Sequence, residues 1–85
     1  MSYSILIKKN VIKVLESIPR RTLYKLNDVI QSLKEEPRPF GIKKLKTKEE
    51  LYRIKVGDYR IIYTINDLIL IIEIIKIGHR KEVYR

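Results

Sequence analysis

The sequence predicts an α+β fold in which an N-terminal strand and a helical hairpin pack on a roughly four-stranded, mainly antiparallel sheet. Three observations carry that prediction. Apolar residues recur at helical offsets between positions 11 and 33, the period changes to two after position 51, and the dipeptides Gly57-Asp58 and Asn66-Asp67 stand between strand-like runs. With 85 residues the chain has room for one core, so residues 1–85 read as a single domain.

Residues 3–8 open as a strand, Tyr3, Ile5 and Ile7 alternating with Ser4, Leu6 and Lys8. A first helix follows, with Asn10 as its expected N-cap and Val11, Val14, Leu15 and Ile18 as one apolar stripe, and Pro19 ends it. Residues 20–36 repeat the pattern through Leu23, Leu26, Ile30 and Leu33, so the two helices form a hairpin whose stripes face a common core. Pro37 and Pro39 close that half. Residues 38–50 read as a surface connection. Gly41 permits a turn there, Lys43, Lys44, Lys46 and Lys48 crowd it with charge, and Leu45 alone is expected to anchor it inward.

The runs 51–56, 59–65 and 68–77 are rich in Ile, Val and Tyr and read as strands joined by two-residue hairpin turns. In the last run, Leu70, Ile72 and Ile74 compete with Ile69, Ile71 and Ile75 for the buried face, which leaves the side taken by Glu73 open. The polar tail, residues 78–85, is expected to be either disordered or part of a site.

Composition narrows the function. The absence of cysteine removes disulfides, zinc–thiolate sites and thiol nucleophiles, and points to the cytoplasm. The longest apolar run, residues 68–77, is interrupted by Glu73 and Lys76 and falls short of the roughly 20 residues of a membrane span. The first ten residues lack the apolar core of a signal peptide, so the chain is read as the mature protein. Nineteen Lys and Arg against ten Asp and Glu leave a formal charge of +9, which makes a polyanion the natural partner or, more simply, keeps the surface soluble.

Position decides between those readings. If Gly57-Asp58 is a two-residue turn, Val56 faces Tyr59, Lys55 faces Arg60, Ile54 faces Ile61, Arg53 faces Ile62 and Tyr52 faces Tyr63. Tyr52, Ile54, Val56, Tyr59, Ile61 and Tyr63 then share the face toward the helices, while Arg53, Lys55 and Arg60 share the other. Like charges placed directly opposite cost on the order of 0.2–1 kcal/mol, so a chain shaped for stability alone would place a carboxylate against Arg60. The plainer alternative is that both cations splay into water or that Glu73 pairs with Arg60. The tail adds His79, Arg80, Lys81, Tyr84 and Arg85, and aromatic rings among cations are what stacking on unpaired RNA bases requires.

Three segments taken in order resemble the RelE branch of the RelE/ParE toxin superfamily: residues 52–63, the run Ile77, Gly78, His79 and Arg80, and the run Glu82, Val83 and Tyr84. The resemblance extends to the first strand, the helical hairpin and Leu45, and so spans essentially the whole chain. It implies a RelE-like sheet and endonucleolytic cleavage of messenger RNA in the ribosomal decoding site. It also implies no metal and inhibition by a RelB-like antitoxin; no cofactor is expected, and a toxin–antitoxin complex is expected alongside a monomeric free toxin. Carried over by position, Arg53, Lys55, Arg60, Arg80 and Tyr84 fall on the family's active-site positions, Arg53 standing where the best-known members have lysine.

Attack of the ribose 2′-OH on its own phosphate builds negative charge that cations must stabilise. Arginine remains protonated, so Arg53 and Arg60 are expected to clamp phosphate, and Lys55 is the candidate base. Arg80, Tyr84 and His79 compete for protonating the leaving group, with Arg80 expected to bind charge, Tyr84 to orient or stack the substrate, and His79 to assist. Lys43, Lys44 and Lys46, with Arg20, Arg21 and Lys25 on the helix surface, are expected to grip ribosomal RNA, unless they are simply a solvated surface. The competing readings are a ParE-like inhibitor of DNA gyrase, a non-catalytic RNA-binding module and a degenerate toxin.

Overall fold

The computed structural model describes residues 2–83. Strand β1 (Ser4–Ile7) runs directly into helix α1 (Lys9–Glu16), and helix α2 (Arg20–Ser32) follows across Pro19. Then come a short strand β2 (Lys43–Lys44), strands β3 (Leu51–Val56), β4 (Tyr59–Asn66) and β5 (Ile71–His79), and a terminal helical turn α3 (Arg80–Val83). The strands form one five-stranded sheet in the order β1-β5-β4-β3-β2, with β1 parallel to β5 and every other pair antiparallel. The parallel pairing follows from connectivity, since the chain must cross the sheet between its first and last strands and the helical hairpin lies in that connection.

Two local expectations are corrected. Asn10 lies inside α1; Lys8 occupies the cap position in extended backbone, without a side-chain capping bond. Helix α2 stops at Ser32, where the Leu33 amide bonds to both the Val29 and Ile30 carbonyls and the following turns close on Gln31 and Ser32. Pro37 disfavours helical backbone only at Glu36, and the Lys34 carbonyl is taken by the Tyr3 amide at 2.8 Å.

The core lies between the helices and one sheet face. Val11 and Ile18, with Leu26, Ile30 and Leu33 from the second helix and turn, pack on Tyr52, Ile61, Tyr63, Ile72, Ile74 and Ile77. The expected β3–β4 register is observed pair for pair, and Gly57 takes φ +60° at the first turn position, a conformation that favours glycine there. The Asn66-Asp67 link is longer than two residues: β4 runs to Asn66, the turn occupies residues 67–70, and the Asn66 side-chain carbonyl accepts the Leu68 and Ile69 amides at 3.0 and 3.2 Å. The lysine-rich connection supplies the fifth strand, and Ile42, in place of the expected Leu45, packs from it against the core.

Strand β5 resolves the ambiguity in its apolar run with a bulge. Tyr63 pairs with Ile74 but Ile62 pairs with Lys76, so Ile75 is the extra residue. Strict alternation after Ile72 and Ile74 would have carried Lys76 under the helices; the bulge turns Ile77 inward and Lys76 outward. Glu73 faces away from the helices opposite Thr64, whereas Arg60 faces Gly78, so the two are not cross-strand neighbours. Among the described residues no helix is long and apolar enough to cross a membrane.

A polar clamp ties the far end of the sheet to the segment after α2. The Arg38 guanidinium donates to both Asp67 carboxylate oxygens at 3.2 and 2.9 Å, the Tyr3 hydroxyl donates to the same carboxylate at 2.6 Å, and Arg38 also lies over the Tyr52 ring. The Arg38 guanidinium, followed by the Tyr3 hydroxyl, holds the Asp67 carboxyl down to about 2. A carboxylate so depressed stabilises the fold above the ordinary value of 3.8 and loses that contribution as pH falls through about 2. A carboxyl-carbon NMR titration is expected to place the Asp67 midpoint near 2 and to return it to the ordinary range in Arg38→Ala. An unchanged midpoint in that variant would detach the shift from the clamp.

Candidate active site

The sheet face turned away from the helices gathers the cations. Residues directly opposite on adjacent strands share a face, so the ladder gives one row of Lys55, Arg60 and Gly78, and a second of Lys43, Arg53, Ile62 and Lys76. Facing Cβ atoms within a row stand about 4.5–5.5 Å apart, close enough for neighbouring cations to act on one phosphate group. The next pair along β4 and β5 is Thr64 with Glu73, which brings a carboxylate onto this face beside the Ile62–Lys76 pair.

Arg60 is fixed by the turn. It is 8% exposed, and one terminal nitrogen donates to the Gly57 carbonyl at 3.0 Å and to the Tyr59 carbonyl at 2.9 Å. The tight turn therefore fixes the guanidinium, and Gly78 opposite offers no side chain to crowd it. Its Nε is buried and has no hydrogen-bond partner among the described residues. A guanidinium oriented by neutral carbonyls keeps its charge available to an anion. Lys55 is exposed beside it, and Arg53 is half-buried one row away.

At the sheet end, the Arg80 amide donates to the Asp58 carbonyl at 2.7 Å, so α3 starts against the β3–β4 turn and the exposed Arg80 is brought to that end. His79 is placed differently from the cation rows. It sits opposite Tyr59 on the helix-bearing side, edge-on to the Tyr59 ring at 5.8 Å between centroids, and its Nδ1 accepts the Lys81 amide at 3.4 Å. Tyr84 lies outside the described residues.

The remaining expected contacts separate into two groups. Lys43 joins the open face through its pairing with Arg53. Lys44 pairs with Tyr52, on the helix-bearing side, and its ammonium lies 3.6 Å from the Glu50 carboxylate, while Lys46 is exposed in the loop beyond. Arg20, Arg21 and Lys25 are exposed on α2, whose buried side covers the opposite face of the sheet, so they do not join the cation rows. Lys76 was not singled out from the sequence, because its side depends on the bulge at Ile75. Among the described residues, no three His, Cys, Asp or Glu side chains cluster as metal ligands.

Residues 4–84 match the sequence profile of the family described as ParE toxin of type II toxin-antitoxin system, parDE. Across 90 aligned residues, taking in 100% of this chain and 98% of the other, the sequence is 37% identical to a Methanocaldococcus jannaschii protein that carries the name RelE1. The fold is similar to that in the crystal structure of the archaeal RelE–RelB complex from Pyrococcus horikoshii OT3. The TM-score is 0.84 at 36% identity, over 96% of this chain and 99% of that one. The isolated E. coli RelE toxin shares the fold with a TM-score of 0.80 at 24% identity, over 98% of this chain and 92% of that one.

Proposed function

The chain belongs to the RelE/ParE family of type II toxin–antitoxin toxins as a RelE-type member, and from that membership we propose that it is a ribosome-dependent messenger RNA endonuclease. In this reading it works in the cytoplasm and is silenced by a RelB-like antitoxin. The observation that carries the proposal is the sheet face on which Lys43, Arg53, Lys55 and Arg60 converge, with no carboxylate among the described residues of those two rows. A surface serving stability alone would intersperse opposite charges at such cross-strand positions.

The chemistry is intramolecular transfer at phosphorus. The 2′-oxygen attacks the adjacent phosphorus, the P–O5′ bond breaks, and the products are a 2′,3′-cyclic phosphate and a 5′-hydroxyl. Arg60, fixed by the turn carbonyls, and Arg53 in the next row stabilise the negative charge that grows on the phosphorane. Lys55, directly opposite Arg60, accepts the 2′-OH proton. Arg80 binds charge, Tyr84 orients or stacks a base, and one of Arg80, Tyr84 and His79 gives the leaving 5′-oxygen its proton.

The ribosome supplies what the chain lacks, holding the message in reactive geometry. Arg20, Arg21, Lys25, Lys44 and Lys46, together with His79, contribute RNA contacts outside the cation rows. The contacts of the cations should weaken steeply with salt. A RelB-like antitoxin complements the +9 chain and keeps its basic face from cellular RNA.

Addition of the purified protein to translating ribosomes with a defined message, mapped by primer extension, is expected to show cuts within the decoding-site codon. Tyr84→Phe, which keeps the ring and removes the orienting hydroxyl, should slow them roughly tenfold. An intact message with arrested gyrase supercoiling would instead select the ParE-like reading, and an intact message with no effect on either would select a degenerate toxin.

A further inference from the structure

The bulge on β5 turns Ile77 into the core and leaves Lys76 on the open face. It places a cation where strict alternation would need an apolar side chain, and it does so opposite Ile62, beside the cationic face. The resulting row runs Lys43, Arg53, Ile62, Lys76 across four strands, about 14 Å at the usual interstrand spacing. Ile62, 9% exposed, forms an apolar floor in the middle of it. Lys76 is exposed, and among the described residues its ammonium has no ion-pair partner, although Glu73 lies on the same strand and the same face.

The geometry points to Lys76 as a substrate-binding residue that holds an RNA phosphate next to the scissile one. The path it defines crosses the sheet from Lys43 on the β2 edge to Lys76 on β5, with the Lys55–Arg60 row along one side and the Thr64–Glu73 pair along the other. Bulges near working sites commonly re-aim one side chain, and here the side chain re-aimed is a lysine with a long stem and a mobile point charge suited to a backbone phosphate. This assignment rests on the ribonuclease reading for its purpose, but its test does not require cleavage.

The experiment measures binding of the full chain to a fluorescein-labelled single-stranded RNA of mixed sequence by anisotropy over a range of salt. It compares wild type with Lys76→Gln, Lys76→Arg and Lys13→Gln, the last on exposed α1 surface. Lys76→Gln keeps the stem over the sheet and removes only the charge. It is expected to weaken binding roughly threefold to tenfold and to lower the slope of log affinity against log salt by about 0.7, the loss of one phosphate contact. Lys76→Arg should retain wild-type slope and Lys13→Gln should change neither quantity.

Equal effects of Lys76→Gln and Lys13→Gln, or no RNA binding by wild type, would overturn the assignment. A selective loss in Lys76→Gln while programmed ribosomes leave the message intact would uphold the phosphate contact and defeat the ribonuclease reading instead.

Discussion

Arg60→Ala is expected to lower cleavage on programmed ribosomes by about 10²- to 10³-fold, the usual cost of removing one preorganised donor from a developing oxyanion. The effect should be large because this guanidinium is oriented before substrate arrives. The Gly57 and Tyr59 carbonyls hold one terminal nitrogen, only 8% of the residue is exposed, and the buried Nε has no partner among the described residues. Arg60→Lys should restore little, since a point charge cannot reproduce the planar fork or span both carbonyls and a phosphate. Thermal unfolding of each variant separates chemistry from folding. A folded Arg60→Ala protein that cleaves at the wild-type rate would remove the cationic face from consideration as the active site.

The largest expected effect on stability is at Tyr63. Its side chain is 0% exposed, its ring stacks on Tyr52 with 5.9 Å between centroids, and its hydroxyl donates to the Pro37 carbonyl at 2.8 Å. Tyr63 thus joins the centre of β4 to the segment that follows α2. Tyr63→Ala empties an aromatic site in the core and should cost about 3–5 kcal/mol, a large share of the roughly 5–15 kcal/mol that holds a domain together. Tyr63→Phe keeps the packing and loses the hydrogen bond, leaving a buried carbonyl to be satisfied, and should cost about 1–3 kcal/mol. Denaturant melts of the two variants test the split; a Phe variant as damaged as the Ala variant would mean that the hydroxyl, not the ring, dominates.

The same residue makes an alkaline prediction. Burial pushes the Tyr63 hydroxyl up to about 12, so the folded state favours the neutral phenol more than the unfolded chain does. Its contribution is complete below the ordinary value of 10 and is lost as pH rises through about 12. Tyr63→Phe should lose less stability than wild type across that interval.

Periodicity and turn chemistry were enough to read the β3–β4 hairpin, because a two-residue turn at Gly57-Asp58 leaves one register and each register assigns every side chain to a face. That is why Arg53, Lys55 and Arg60 could be grouped from sequence. The helical hairpin was legible for the same reason, through the stripes of Val11, Leu26, Ile30 and Leu33. The Tyr3–Arg38–Asp67 clamp was not legible, since its partners are separated by 29 and 64 positions and carry no local pattern. Lys43 looked like loop charge until its two-residue strand paired with β3.

What the sequence determined by itself was therefore what depends on neighbours along the chain: two helical stripes, one hairpin register, a strong positive charge and a family resemblance. Tertiary structure alone decided the parallel docking of β1 on β5, the bulge at Ile75, the outward turn of Lys76 and the placement of His79 with Tyr59 across from the cation rows. In β5 apolar residues occur on both alternating sets, so local pattern supplies no preference. The choice falls to the whole sheet, which must bury Ile72, Ile74 and Ile77 together while keeping the charge of Lys76 in water.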